Sequence, residues 1–337
     1  MIKKVLKKFP GVKFILNIKN KLFKYLNFCR EYKYDYNFFI KNYSNSKETK
    51  NKIGYNILLA THSLEKGMSN TKLRYFGVNK TKEIINMLSK YEKYDNYKED
   101  FPFINGINIL RKYKEIYEEN NWINREEYKK VNEFLNNYND IVSINVGSFT
   151  LEKKSFIKDA TNIDYNKFLS SRHSVRNYCT KKIDDNDIKK AVDMAIKSPT
   201  ACNRQMVKIY YVENSEKREK IIHLGQGFSG FDLDSVNIFL ITFDVNANYF
   251  IGERNQGWFN SGLVAMNFVN ALHSLGIGSC FIQFGNTTKE EENIKNILNI
   301  PNNERIAVIL SAGYYENSSK IPFSPRKNIS DIYKKIS

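Results

Sequence analysis

Residues 260–275 carry Leu263, Val264, Met266, Val269, Ala271 and Leu272, with only Asn, Ser and His as polar interruptions. A helix apolar over so much of its circumference must be buried on most sides. The chain therefore has to supply structure that wraps this segment. Three apolar runs, at residues 208–212, 236–243 and 305–312, read as strands, two of them continuous enough to be central in a sheet. Ahead of them, Asp184-Asp185-Asn186-Asp187 precedes Ile188, Ala191, Val192, Ala195 and Ile196, an acidic helix start followed by an apolar face. Helices alternating with a few strands imply an α+β sandwich.

The first half has a different texture. Residues 31–150 contain few Gly or Pro, and residues 81–94 and 106–119 have helical periodicity, so this region is expected to be mostly helical. A polar stretch at residues 42–52 reads as a linker or exposed turn, and a hinge at 147–154 marks the domain boundary. The resulting division is 1–30, 31–150 and 155–337. No internal repeat is present.

A net charge of +17 would ordinarily point to nucleic acid or an anionic membrane. Lys, Asn, Ile and Tyr crowd the whole chain, however, which is a uniform bias and not a targeted patch, and no nucleic-acid partner is expected. Residues 1–30 are the exception, with nine Lys or Arg and no acid. Val5, Phe9, Val12, Leu16, Leu22 and Leu26 recur there at helical spacing, giving a basic amphipathic helix broken or started near Pro10-Gly11. Such a helix can lie on an anionic membrane or pack on its own protein with its lysines solvated.

The four cysteines, Cys29, Cys179, Cys202 and Cys280, form no CxxC pair, which argues against a zinc site or a disulfide framework. A reducing cytoplasm is the expected compartment. No uncharged apolar run reaches membrane-spanning length, and Lys13, Lys19 and Lys21 interrupt any signal-peptide core. No metal is expected. His173, His223 and His273 share no ligand spacing, and His273, on the apolar helix, reads as a satisfied core residue.

Four stretches carry chemistry. Ser171-Arg172-His173-Ser174-Val175-Arg176 offers guanidinium forks and short hydroxyl donors suited to a phosphate. Ser198-Pro199-Thr200-Ala201-Cys202-Asn203-Arg204-Gln205 combines small residues with two amides, allowing its backbone to approach a planar ligand. The apolar helix runs into Leu275-Gly276-Ile277-Gly278-Ser279-Cys280, and Pro322-Phe323-Ser324-Pro325-Arg326-Lys327 lies near the C-terminus. Singly, each is compatible with an ordinary surface or helix-end turn. Gly225-Gln226-Gly227-Phe228-Ser229-Gly230 fits GxGxxG, but it follows a helix-like segment and leads into a strand, the reverse of a dinucleotide fingerprint. No Rossmann domain is expected.

In combination and order, the four stretches resemble the nitroreductase family. The resemblance implies a three-layer sandwich with a central, mainly antiparallel sheet, preceded here by a helical region. It implies FMN as cofactor, NADH or NADPH as co-substrate, a homodimer with each FMN between two subunits, and ping-pong transfer to a small-molecule acceptor. Carried over to this sequence, Arg172, Ser174 and Arg326 hold the FMN phosphate, His173 touches it, and Arg176 lies on the pyrimidine side of the ring, where reduction places negative charge. Asn203 bonds the ribityl chain or ring edge, lined by Pro199, Thr200 and Gln205. The backbone at Gln283 and Phe284 approaches flavin N5. Two departures stand out: the family's Pro-Trp is Met206-Val207, which puts the substrate pocket's shape in doubt, and the acidic residue near N5 is Gln283.

Thr61-His62-Ser63-Leu64-Glu65-Lys66-Gly67-Met68, with Tyr34-Asp35-Tyr36, resembles a segment ahead of the reductase domain in nitroreductase-like proteins associated with bacterial surface-polysaccharide genes. His62 and Glu65, one turn apart, can share a proton or a substrate hydroxyl. They can equally close a helix at Gly67, with Glu65 and Lys66 salt-bridged. Against the oxidoreductase reading stands a non-catalytic one, in which a dimeric flavin-type fold is a scaffold docking a membrane-associated glycan assembly.

Overall fold

Asn237 to Asp244 has no exposed residue: all eight positions are buried. Side chains in a strand alternate between faces, so a strand buried throughout needs cover on both sides. The computed structural model describes residues 10–44, 48–69, 73–148, 163–224, 227–228, 231, 233–282, 287–316, 321 and 328–336, and it supplies that cover. The strands are β1 (Val207–Tyr211), β2 (Asn237–Asp244), β3 (Ile277–Ile282) and β4 (Glu304–Tyr314), antiparallel in the order β1-β2-β4-β3.

The helices are α1 (Pro10–Phe39), α2 (Lys50–Met68), α3 (Val78–Tyr91), α4 (Phe101–Glu119), α5 (Glu126–Leu135), α6 (Tyr165–Ser171), α7 (Asp185–Ala195), α8 (Ser215–Leu224), α9 (Gln256–Ser274), α10 (Thr288–Leu298) and α11 (Ile329–Ile332). Helices α7 and α9 cover one face of the sheet, where Ile188, Ala191, Phe268 and Leu272 meet Phe239 and Leu310. Helices α8 and α10 cover the other, where Ile221, Ile222 and Ile294 meet Ile238, Leu240 and Ile306. The three-layer α+β sandwich expected from the sequence is the observed fold, and the two long apolar runs are its central strands.

β3 escaped the sequence reading, which placed the apolar helix at residues 260–275 and assigned no strand immediately after it. Its six residues include Gly278 and Ser279 and alternate poorly, because β3 is buried at every position but Phe281. The helix itself starts earlier than expected, at Gln256. It approaches β2 so closely that a Cβ on Gly257 would lie 2.1 Å from the Phe243 ring. Gly257→Ala is therefore expected to destabilise the domain by about 1–3 kcal/mol through overpacking; an unchanged thermal midpoint would contradict that contact. Burial of α9 is also incomplete, since Phe259 and Met266 stay exposed on one side.

Helices α2 to α5 build a second core around Ile57, Leu64, Ile84, Phe103, Ile107 and Tyr113. The polar stretch at 42–52 is only in part a linker, because Thr49 caps α2 by accepting from the Lys52 amide. The expected boundary at residue 30 falls inside α1, which runs unbroken from Pro10 to Phe39. The hinge at 147–154 lies mostly outside the described residues.

Two sets of contacts dock the helical half on the sandwich. Asn51 Nδ2 and Tyr55 Oη donate to Asp244 Oδ2 at 3.2 and 3.3 Å, at the end of β2. On α1, Asp35 accepts from Arg305 at 2.7 Å, and Glu291 takes the rest of that guanidinium at 2.9 Å. The guanidinium also lies over the rings of Tyr34, Phe38 and Trp258. The middle residue of Tyr34-Asp35-Tyr36 thus joins α1 to β4.

Candidate functional site

Arg172 follows α6, and Val175 N donates to Ser279 O at 3.0 Å, so residues 172–176 run alongside the edge strand β3. This places two of the expected phosphate ligands, Arg172 and Ser174, and the expected pyrimidine-side Arg176 near one buried thiol. Burial raises the pKa of Cys280, while Arg176, a hydrogen bond with Ser174, and Arg172 pull it the other way. Among the described residues no carboxylate pairs with Arg172, His173 or Arg176. The cluster is a concentration of positive charge without an internal counterion, the condition for holding an anion.

His273, on α9, closes the inner side of this cluster. Its Nε2 lies 2.8 Å from Ser171 Oγ and its Nδ1 2.8 Å from Tyr315 Oη. Both nitrogens are satisfied, as expected, although the ring is half-buried and not deep in the core. Burial lowers its pKa, reinforced by Arg172 and His173. A histidine pKa depressed in the folded state means that the unfolded chain binds the extra proton, so stability falls as pH drops below the unfolded value. The thermal midpoint is expected to decline between about pH 7 and 5.5, and less steeply in His273→Gln; equal slopes would contradict this.

The second cluster hangs on the same helix. Asn267 Nδ2 donates to Ser198 Oγ at 2.7 Å, so residues 198 and 171 are held at α9 positions six residues apart, about 9 Å along its axis. Between them, Asn270 Oδ1 is buried without a hydrogen-bond partner among the described residues. Thr200 is half-buried, while Pro199, Asn203 and Gln205 are exposed. Cys202, Asn203 and Gln205 all adopt left-handed backbone, with φ of 51°, 52° and 52°. For side chains other than Gly this costs roughly 1–2 kcal/mol per residue.

Arg204 holds that strained loop. It is 1% exposed and donates to Ala247 O at 2.5 Å and to both Glu253 carboxylate oxygens at 2.7 and 2.6 Å. Thr200 Oγ1 accepts from the Gln205 amide at 3.0 Å. Helix α2 packs against the 201–203 turn, so the helical half meets the sandwich beside Asn203. A cavity of about 410 Å³ lies next to the loop, lined by Thr200, Gln205, Ile196, Val264 and residues of β1.

Sequence reasoning passed over Arg204, Glu253, Asn267 and Cys280 as site residues. Glu253 lies forty-nine positions from Arg204, and no local pattern announces such a pair. Asn267 was visible as one of the few polar side chains on an apolar helix. Gln283, Phe284 and Arg326 lie outside the described residues. The GxGxxG segment lies partly outside them; α8 ends just before it and β2 follows, the helix-to-strand order that disqualifies a dinucleotide site.

His62 and Glu65 lie in the last two turns of α2, as the helix-end reading expected, but Gly67 does not close the helix. Gly67 lies inside α2, which continues to Met68, and the C-cap is Ser69. A Cβ on Gly67 would come within 2.6 Å of the Phe76 ring, so close packing explains that glycine. Glu65 pairs with His62 Nδ1 at 3.3 Å and accepts from the Gly147 amide at 3.4 Å, leaving the expected bond to Lys66 unformed.

Residues 169–224 and 238–314 match the nitroreductase family model. The C-terminal half is thus similar to the nitroreductase family over the matched residues. The matched residues contain the 172–176 cluster, the 198–205 loop and, but for Asn237, all four strands of the sandwich. Among solved structures, the chain is similar to a nitroreductase family protein from Streptococcus pneumoniae TIGR4, at 22% identity and a TM-score of 0.45, covering 51% of this chain and 100% of the other. It is similar to an FMN-dependent nitroreductase from Clostridium difficile R20291, at 24% identity and a TM-score of 0.41, covering 50% and 96%. A nitroreductase-like protein from Streptococcus mutans is 22% identical, with a TM-score of 0.44 and coverages of 52% and 98%. No curated protein matches the chain.

Proposed function

We propose that the nitroreductase-type domain is an FMN-dependent oxidoreductase that uses NADH or NADPH to reduce a small organic acceptor. The observation that carries this reading is the cluster of Arg172, Ser174 and Arg176 around Cys280, cationic, without a carboxylate counterion among the described residues, and tied through α9 to the loop of Asn203. The donor set suits FMN: forked guanidiniums and a hydroxyl for the phosphate, exposed amides at Asn203 and Gln205 for the polar edge of a ring, and small residues at Ser198-Pro199-Thr200 that let backbone come close. The flavin supplies two-electron hydride chemistry when bound.

The residues of this chain bind and orient. Arg172 and Ser174 hold the phosphate, with His173 beside them and Arg326 as a further ligand. Arg176 would offset negative charge at the pyrimidine side, and Pro199, Thr200, Asn203 and Gln205 would line the ring; the resemblance assigns the N5 side to Gln283 and Phe284, which lie outside the described residues. Nicotinamide and acceptor occupy the same exposed face in turn, the ping-pong order. The exposed Phe259 and Met266 on α9 support a homodimer, because an apolar stripe on the site's supporting helix calls for a partner surface. FMN titrated into the purified chain and followed by flavin fluorescence tests the assignment: saturable binding at one site per chain is expected, and no binding overturns it.

A further inference from the structure

We propose that the N-terminal half of α1 lies on an anionic lipid surface, holding the sandwich against a membrane. Among the described residues, the contacts that anchor α1 lie towards its C-terminal end. Glu31 accepts from the Thr288 amide at 2.9 Å, Asp35 pairs with Arg305, and Phe38 lies under Lys295. Ahead of Asn27, every residue whose burial is described, from Phe14 to Leu26, is exposed. That stretch is far from polar. Phe14, Ile18, Leu22, Tyr25 and Phe28 are 68%, 51%, 56%, 64% and 59% exposed. Their spacing of four, four, three and three places them within about a third of the helix circumference, while Leu16 and Phe23 lie outside this stripe.

A single helix with such a stripe gains little by standing in water, because most helical stability in proteins comes from packing an apolar face. Charge selects what covers it. Residues 1–30 contain nine Lys or Arg and no acid, and Lys19, Lys21, Lys24 and Arg30 are exposed along the same stretch. A second copy of residues 10–30 laid against the first would bring like charges together along both flanks, in either orientation. An anionic bilayer instead meets the cations with phosphate and admits the aromatic and aliphatic stripe into its interface. Among the described residues no helix is long and apolar enough to cross a membrane, so the contact is with the surface.

The test is co-sedimentation of the full chain with vesicles, either pure phosphatidylcholine or an equimolar mixture with phosphatidylglycerol. Binding is expected to the mixed vesicles, to weaken at high salt, and to be at least tenfold poorer to phosphatidylcholine alone. Ile18→Asp with Leu22→Asp, and separately Lys19→Glu with Lys24→Glu, should each lower it roughly tenfold or more. These positions touch neither core, so the unfolding transition of each variant should match the parent. Absence of binding to the mixed vesicles, or variants that bind like the parent, overturns the proposal. It is equally overturned if the Ile18/Leu22 variant splits an oligomer in vesicle-free solution without changing sedimentation, the signature of a second copy.

Discussion

Arg204→Met lowers the unfolding free energy of the sandwich by about 3–5 kcal/mol, the cost of leaving a buried carboxylate without its partner. The side chain is almost fully buried and makes four hydrogen bonds, two of them to Glu253 and one each to the Ala201 and Ala247 carbonyls. Met fills much of the same volume, so the loss measures the uncompensated charge and the freed Ala247 carbonyl more than a cavity. A second effect follows at the loop. Cys202, Asn203 and Gln205 hold left-handed backbone next to Arg204, and without the anchor that strain relaxes, displacing Asn203. Denaturation followed by fluorescence, with Trp258 reporting the sandwich, measures the first effect; a loss under about 1 kcal/mol would mean that the pair is worth no more than a surface one.

The same pair has an acid signature. Burial alone would raise the Glu253 carboxyl, but Arg204 and the amides of Tyr249 and Phe250 outweigh it and hold the pKa below its ordinary 4.5. A depressed carboxyl pKa contributes stability above the unfolded value, and that contribution is lost as pH falls through the folded value. The parent should lose stability faster than Arg204→Met below about pH 4.5.

Arg172→Gln and Arg176→Gln behave oppositely: each leaves the fold intact and weakens FMN binding by about 10- to 100-fold, the size of one charge-assisted hydrogen bond in a partly screened site. Neither guanidinium pairs with a carboxylate among the described residues, so removing it strands no buried charge. The Cys280 thiol reports the change independently. With Arg176 or Arg172 gone, its pKa rises further, because those cations are what oppose the burial that already raises it. Slower alkylation of the Cys280 thiol in the folded protein, together with weaker flavin binding, separates loss of charge from loss of fold, because unfolding would expose the thiol and speed the reaction. Unchanged FMN affinity in both variants would remove the phosphate assignment.

Much of the sandwich was legible because its chemistry is local. Asp184 caps α7 as its position in the sequence implies, and Phe239 to Phe243 could be buried on both sides only as a central strand. β3 was hidden because Gly278 and Ser279 blur any alternation, and its strand character comes from pairing with β4. The site divides along the same line. Arg172, Ser174, Arg176 and Asn203 were named from motif chemistry, and the structure gathers the first three around one sulfur. The tie between Asn267 and Ser198, and the clamp of Glu253 on Arg204, depend on chain segments far apart in sequence. In the helical half, Gly67 looked like a helix end because glycine commonly occurs there; its actual role, close passage of Phe76, requires knowing where residue 76 packs.

The most direct test is an anaerobic titration of the FMN-reconstituted protein with NADH and with NADPH, read at the blue absorption band of the flavin. The band should bleach with about one equivalent of nucleotide per bound flavin and recover when an electron acceptor is added, with bleaching lost in the Arg172/Arg176 double variant for want of bound cofactor. A protein that binds no FMN, or binds it and leaves the band unchanged with either nucleotide, would contradict the oxidoreductase assignment.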